Sequence, residues 1–146
     1  MQIRQASPED AAVLADLATQ LGYPSTPEQL AARLAALDGP DHAVLVAEDG
    51  DRVIRVIGWL HVLARHHLET DSFAEIGGLV VDESCRGQGI GRRLVDAAVD
   101  WVRQKGIGEL RVRSNVVRAD AHRFYEREGF VRKKTQAVFS RLLQLP

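Results

Sequence analysis

The sequence predicts one domain of the mixed α/β (α+β) class spanning residues 1–146, and three observations predict it. Residues 74–81 have the Ile, Leu and Val content of a buried strand. A glycine turn then leads into Ile90, Leu94, Val95, Ala98, Trp101 and Val102 at helical spacing, and residues 110–114 alternate again as a strand. A helix between two strands implies a parallel crossover. Upstream, residues 41–48 and 52–63 are β-rich runs joined by Asp49-Gly50-Asp51, which reads as a hairpin, so most of the sheet is antiparallel. Two short amphipathic helices precede these strands.

The N-terminal elements follow from caps and stripes. Residues 2–5 fit a short opening strand with Ile3 inward. Ser7-Pro8-Glu9-Asp10 combines a capping serine, a proline at the first helical position and acids in the first turn, and Leu14, Leu17 and Leu21 mark one face. Thr26-Pro27-Glu28-Gln29 repeats the device, with Gln29 placed to complete a capping box ahead of Leu30, Leu34 and Leu37. Gly22-Tyr23-Pro24 joins the two helices. Residues 64–71 form a polar turn into the central strand, where Gly77-Gly78 suggests a bulge. Gly106-Ile107-Gly108 ends the central helix. A later helix holding His122, Phe124 and Tyr125 stops at Gly129, and residues 135–142 alternate as a final strand.

Bulk properties narrow the function. A chain of 146 residues buries about 70% of its unfolded surface, enough for one ordinary core. A formal net charge of -1 argues against a general nucleic-acid binder. The single cysteine, Cys85, has no internal disulfide partner, the N-terminus lacks a signal-peptide pattern, and no apolar run approaches the ~20 residues of a membrane span. A cytoplasmic, membrane-free setting is expected. His61, His66, His67 and His122 lack a cysteine partner and the HExxH spacing, so no metal is expected.

Arg86-Gly87-Gln88-Gly89-Ile90-Gly91 joins the central strand to the central helix. Three glycines remove side chains that would hold a ligand off the backbone, and helix N-terminal amides carry roughly half a positive elementary charge. This is a site for a phosphate or pyrophosphate, with Arg86 as an added cation. No Gly-Lys-Ser or Gly-Lys-Thr is present, which excludes a P-loop; Arg92 stands where a dinucleotide fingerprint needs its last glycine.

The remaining pattern, R-x-x-G-x-G after I-G-G-L-V-V-D, closely resembles the acetyl-CoA pyrophosphate loop of the GCN5-related N-acetyltransferases, the GNAT superfamily. Asn115 followed by Ala121-His122-Arg123-Phe124-Tyr125 and Gly129-Phe130 is similar to that family's N-x-x-A-x-x-F-Y-x-x-x-G-F signature, and Gly58 in V-I-G-W-L fits the same plan. The resemblance covers most of the chain from about residue 41. It implies a three-layer fold with a mixed sheet of six to seven strands, about four helices and one parallel crossover where the sheet splays open.

The resemblance also implies acetyl-CoA as co-substrate and transfer to a primary amine by direct attack in a ternary complex. The pyrophosphate is expected on Arg86, Gly87, Gln88, Gly89, Ile90 and Gly91, with Arg92 nearby. The Leu79 amide is expected at the thioester oxygen, with Val80 and Val81 along the pantetheine arm. Asn115 and Phe124 complete the cofactor set. Tyr125, whose phenol ordinarily has a pKa near 10, is the candidate general acid for the departing thiolate. Glu75 is the candidate general base and, by strand alternation, is expected to share a face with Gly77 and Leu79; His61 and a water relay are alternatives. Many relatives carry acids where this chain has Gly77 and Gly78. Tyr23, Gly77 and Gly78 are candidate acceptor contacts.

The expected acceptor is a small amine or aminoglycoside-like molecule. The alternatives are a protein lysine or N-terminus, and a non-catalytic acyl-CoA-binding regulatory module. A homodimer is a further expectation from the family.

Overall fold

A computed structural model describes residues 1–114 and 118–146. It divides into two units, Met1–Arg113 and Ser114–Pro146.

The first unit is built on a five-stranded sheet in sequential order, from β1 (Gln2–Gln5) through β2 (His42–Asp49), β3 (Arg55–Arg65) and β4 (Phe73–Val81) to β5 (Leu110–Val112). The first three pairings are antiparallel and the last is parallel. The parallel pair is the crossover that the strand-helix-strand pattern predicts, with α3 (Ile90–Gln104) between its strands.

Helices cover both faces. On one face α1 (Ala11–Leu21) packs Leu14 and Leu17 against Val46, Val56 and Val80, with Trp59 half-buried beside them. The Trp59 indole N–H donates to the Leu14 carbonyl at 3.3 Å. α2 (Pro27–Ala36) adds Leu30 and Leu34 to the rim of this cluster but buries no residue fully. Its predicted capping box forms, Gln29 N–H donating to Thr26 Oγ1 at 3.2 Å and Thr26 N–H to Gln29 Oε1 at 3.0 Å.

α3 buries Ile90, Leu94, Val95, Ala98 and Val102, each apolar side chain contributing on the order of 1–3 kcal/mol. Gly58 sets how close α3 and β4 come. A Cβ there would lie 2.9 Å from the Val80 carbonyl oxygen and 3.3 Å from Leu94 Cδ1. At the other end of the sheet, Arg4 ties β1 to its neighbours, with Nη1 and Nη2 on the Asp10 carboxylate at 2.9 and 3.0 Å and Nε on Glu48 at 2.8 Å.

In the second unit, α4 (Ala119–Arg127) ends as its glycine predicts. Gly129 takes φ +91°, the Phe130 N–H donates to the Tyr125 carbonyl at 3.0 Å, and the Gly129 N–H donates to Glu126 at 3.1 Å. The expected strand at 135–142 does not form. Residues 130–146 hold no regular element, and Val138, Phe139 and Leu142 are exposed. Alternation supplies a face but not the ladder partner that a strand requires. Among the described residues the sheet therefore has five strands, not six or seven.

Candidate active site

The predicted bulge is present in β4. Leu79 faces Leu60 and Gly78 faces His61, but Val62 faces Ile76, which leaves Gly77 as the extra residue. The bulge inverts the alternation of the strand. Directly opposite residues share a face, so Glu75, across from Leu63, aligns with Gly78 and Val80, and Leu79 turns to the other face with Ile76. The expectation that Glu75 and Leu79 share a face is thereby corrected.

The same bulge orients the main chain of β4. The Asp82 N–H donates to the Ile57 carbonyl in β3 at 2.7 Å, so Val80 also points toward β3, and Leu79 and Val81 direct their N–H and C=O groups to the opposite edge. On that edge the Ala74 N–H donates to Glu109 at 2.9 Å, yet the pairing with β5 stops at Ile76 and Val112. Among the described residues, none pairs with the far edge of β4 beyond it, alongside Leu79 and Val81. A ligand with amide groups of its own can pair there.

The glycine loop lies at the end of this open edge. Gly87 and Gly89 adopt φ +81° and +76°, left-handed conformations in which glycine carries no Cβ penalty. Gly89 is the N-cap of α3 and supplies no side chain to cap the first turn. Arg86, Gly87, Gln88 and Gly89 are exposed, while Ile90 is buried and anchors the helix start; Gly91 is half-buried and Arg92 exposed. Just upstream, the Asp82 carboxylate accepts from the Ser84 N–H at 3.0 Å and Gln20 of α1 accepts from the Glu83 N–H at 3.0 Å. Cys85 is buried, with Arg55 Nη2 3.4 Å from its sulfur.

A polar cluster occupies the Glu75 face. Glu75 is only 5% exposed, and its carboxylate is shared by two guanidiniums, Arg65 Nε at 3.0 Å on one oxygen and Arg113 Nε at 3.3 Å on the other. Arg111 lies over the Phe73 ring at 3.7 Å and pairs with Glu109 at 2.9 Å. His61 stands opposite Gly78, and a Cβ on Gly77 would lie 2.8 Å from its Nδ1. Its Nε2 is 3.1 Å from His42 Nδ1, with the two rings stacked at a centroid distance of 5.3 Å. Burial, then His42 and then Arg65, pull the His61 imidazole down to about 4, against an opposing influence from Glu75. His61 is therefore neutral at physiological pH. The His42 partnership carries no sequence signal, because a pair 19 residues apart becomes visible only with the register of β2 against β3.

Gly78 is also closely packed. A Cβ there would meet the Trp59 ring at 2.9 Å, so a valine would disturb the α1 contact as well as the bulge. Tyr23 is 65% exposed in the turn after α1. Asn115 lies outside the described residues. In the second unit, Tyr125 is half-buried with edge-on contacts to Phe124 and Phe130 at 5.2 and 5.6 Å, and burial pushes its phenol above the usual tyrosine value. Among the described residues no His, Cys, Asp and Glu cluster could hold a metal, and no helix is long and apolar enough to cross a membrane.

The sequence model of the Acetyltransferase (GNAT) family matches residues 11–130. The chain is 33% identical to the aminoalkylphosphonate N-acetyltransferase of Salmonella typhimurium, over 97% of this chain and 91% of that protein. It is also 33% identical to an aminoglycoside N(6')-acetyltransferase type 1 of Stenotrophomonas maltophilia, over 88% and 84%. Its fold superposes on the crystal structure of an aminoglycoside 6'-N-acetyltransferase from Acinetobacter haemolyticus with a TM-score of 0.84, covering 99% of this chain and 100% of that one at 19% identity.

Proposed function

The chain belongs to the GNAT family of acetyltransferases, and from that premise we propose that it moves the acetyl group of acetyl-CoA to a small primary amine by direct attack in a ternary complex. The observation that carries this is the continuity of two backbone features, the open β4 edge at Leu79 and Val81 and the glycine loop 86–91 beyond it. The amides of Gly87, Gln88, Gly89, Ile90 and Gly91 receive the pyrophosphate, with the Arg86 and Arg92 cations alongside. Leu79 and Val81 pair with the pantetheine arm, and the Leu79 N–H stabilises the oxyanion as it develops. Val80, which points toward β3, contributes packing. Asn115 and Phe124 complete the cofactor's surroundings, and Tyr125 protonates the departing sulfur. Its raised pKa keeps the phenol protonated at neutral pH. When bound, acetyl-CoA supplies the activated acyl carbon and the thiolate leaving group. No metal takes part, and the setting is cytoplasmic.

The acceptor reading is narrower than the family. Arg65, Arg111 and Arg113 set three guanidiniums against the carboxylates of Glu75 and Glu109, a net positive surface beside Gly77 and Gly78. Such a surface favours an amine that also carries an anionic group, as in the aminoalkylphosphonate acceptor named for the Salmonella relative, and disfavours a polycationic aminoglycoside. Tyr23, Gly77 and Gly78 border the acceptor.

Calorimetric titration with acetyl-CoA, followed by thiol release against aminoalkylphosphonates, amino carboxylates, aminoglycosides and peptides, tests the whole proposal. Turnover restricted to the anionic amines is expected. Turnover on peptides alone would replace the acceptor class, binding without turnover would leave a regulatory acyl-CoA module, and absence of binding would remove the assignment.

A further inference from the structure

Building on the acetyl-transfer reading above, we propose that His61 accepts the proton of the attacking amine at Nδ1, and that His42 is the residue that positions it by accepting a hydrogen bond from His61 Nε2–H. Glu75 then serves to hold Arg65 and Arg113 and takes no proton.

Four observations carry this assignment. Gly77 is the extra residue of the bulge and offers no side chain, yet the space where its Cβ would stand lies 2.8 Å from His61 Nδ1. An imidazole from β3 thus fills the place that a functional side chain on β4 would take. The contact at 3.1 Å between His61 Nε2 and His42 Nδ1 requires a proton on one of the two nitrogens. If His61 donates, both rings are in the Nε2–H form that neutral histidine ordinarily favours, and the His61 Nδ1 lone pair faces the bulge. The reverse arrangement puts both rings in the less favoured form and an N–H where a lone pair is needed.

The third observation concerns Glu75, whose two oxygens each already meet a guanidinium, so accepting the amine's proton would cost it an ion pair. The last is electrostatic: the groups facing His61 are His42 from β2, Arg65 on its own strand and Glu75 from β4. Burial and the Arg65 cation keep the ring neutral in the free protein, and Glu75 stabilises the imidazolium once formed.

The step balances without any redox partner. The amine nitrogen's lone pair attacks the thioester carbon, forming the N–C bond while the carbonyl electron pair moves onto oxygen. The proton now on the positively charged nitrogen passes to His61 Nδ1. The oxygen pair returns and the C–S bond breaks, with sulfur taking a proton from Tyr125. After the acetylated amine leaves, His61 releases its proton to solvent and Tyr125 regains one.

The test uses the full chain with an aminoalkylphosphonate as acceptor. His61→Gln is expected to lower kcat by about 100-fold or more with acetyl-CoA affinity unchanged. His42→Ala is expected to lower kcat roughly tenfold with little change in KM, because the acceptor that holds the His61 proton on Nε2 is gone. His42→Asn, which restores an acceptor, is expected to recover most of kcat. A merely structural role for His42 would give no such recovery in His42→Asn.

Long-range ¹H–¹⁵N NMR of the unliganded protein is expected to show His61 protonated at Nε2 and bare at Nδ1 at neutral pH. A proton found on Nδ1 would overturn the proposal, as would wild-type kcat in His61→Gln alongside loss of kcat in Glu75→Gln. Absence of turnover with every amine would fail the acetyl-transfer reading and the proton-acceptor role with it; the NMR tautomer would then decide the hydrogen-bonded pair alone.

Discussion

The glycine loop and the polar face of the sheet stand at opposite extremes of how a site is assembled. The loop is contiguous, residues 86–91, and presents main-chain amides from exposed, left-handed backbone. The polar face draws His42 from β2, His61 and Arg65 from β3, Glu75 from β4 and Arg113 from just beyond β5, and presents side chains. A main-chain site needs only conformation, so its residues can be varied as long as glycine stays where φ is positive. A side-chain site depends on register, and a one-residue slip would disperse it.

The largest expected effect breaks the loop. Gly89→Val forces a β-branched side chain into φ +76°, and calorimetry should show acetyl-CoA affinity reduced by more than about 100-fold, because both the strain and the added side chain act at the pyrophosphate. If affinity survives, the main-chain half of the contrast is wrong. Tyr125→Phe is expected to reduce turnover by roughly 100-fold with affinity intact, as removal of a general acid does. An unaffected rate would leave Tyr125 as packing beside Phe124 and Phe130.

Gly77→Ala is the sharper probe of the face, since its methyl would meet His61 Nδ1 while the bulge itself stays compatible with alanine. Turnover is expected to fall about tenfold through displacement of the ring, with thermal stability little changed. The smallest effect is in acid stability. His61 binds fewer protons folded than unfolded between its ordinary 6.5 and about 4, so stability is fully present above pH 6.5 and declines as pH falls through that window. Denaturant titrations at pH 7 and pH 5 should show the decline in the wild type and a flatter response in His61→Gln. The Arg4 and Asp10 pair adds a separate loss at lower pH, because the Arg4 guanidinium holds the Asp10 carboxyl below its usual value.

The same contrast explains what could be read from the chain. The loop, the crossover, the Thr26 cap and the bulge are legible because each is written in neighbouring residues: glycine spacing, a proline after a capping Thr, adjacent glycines inside a strand. Simple alternation puts Glu75 on the same side as Leu79, and the extra residue of the bulge reverses it. His42 carries no such sign, since its partner His61 lies 19 residues away on the neighbouring strand and only the β2–β3 register brings the two rings together. The final strand failed for a related reason: residues 135–142 alternate, but a pattern of faces does not specify a neighbour.

Cys85 has a practical consequence at the bench. The chain has one sulfhydryl, enclosed between Arg55 and Ser84 and 8% exposed. A chromogenic reagent that titrates free CoA will therefore meet almost no competing signal from native protein, and turnover can be followed at high enzyme concentration with slow acceptors. Without acetyl-CoA, the same reagent becomes a clock for unfolding: the rate at which Cys85 is modified reports how often the strand-to-helix junction opens.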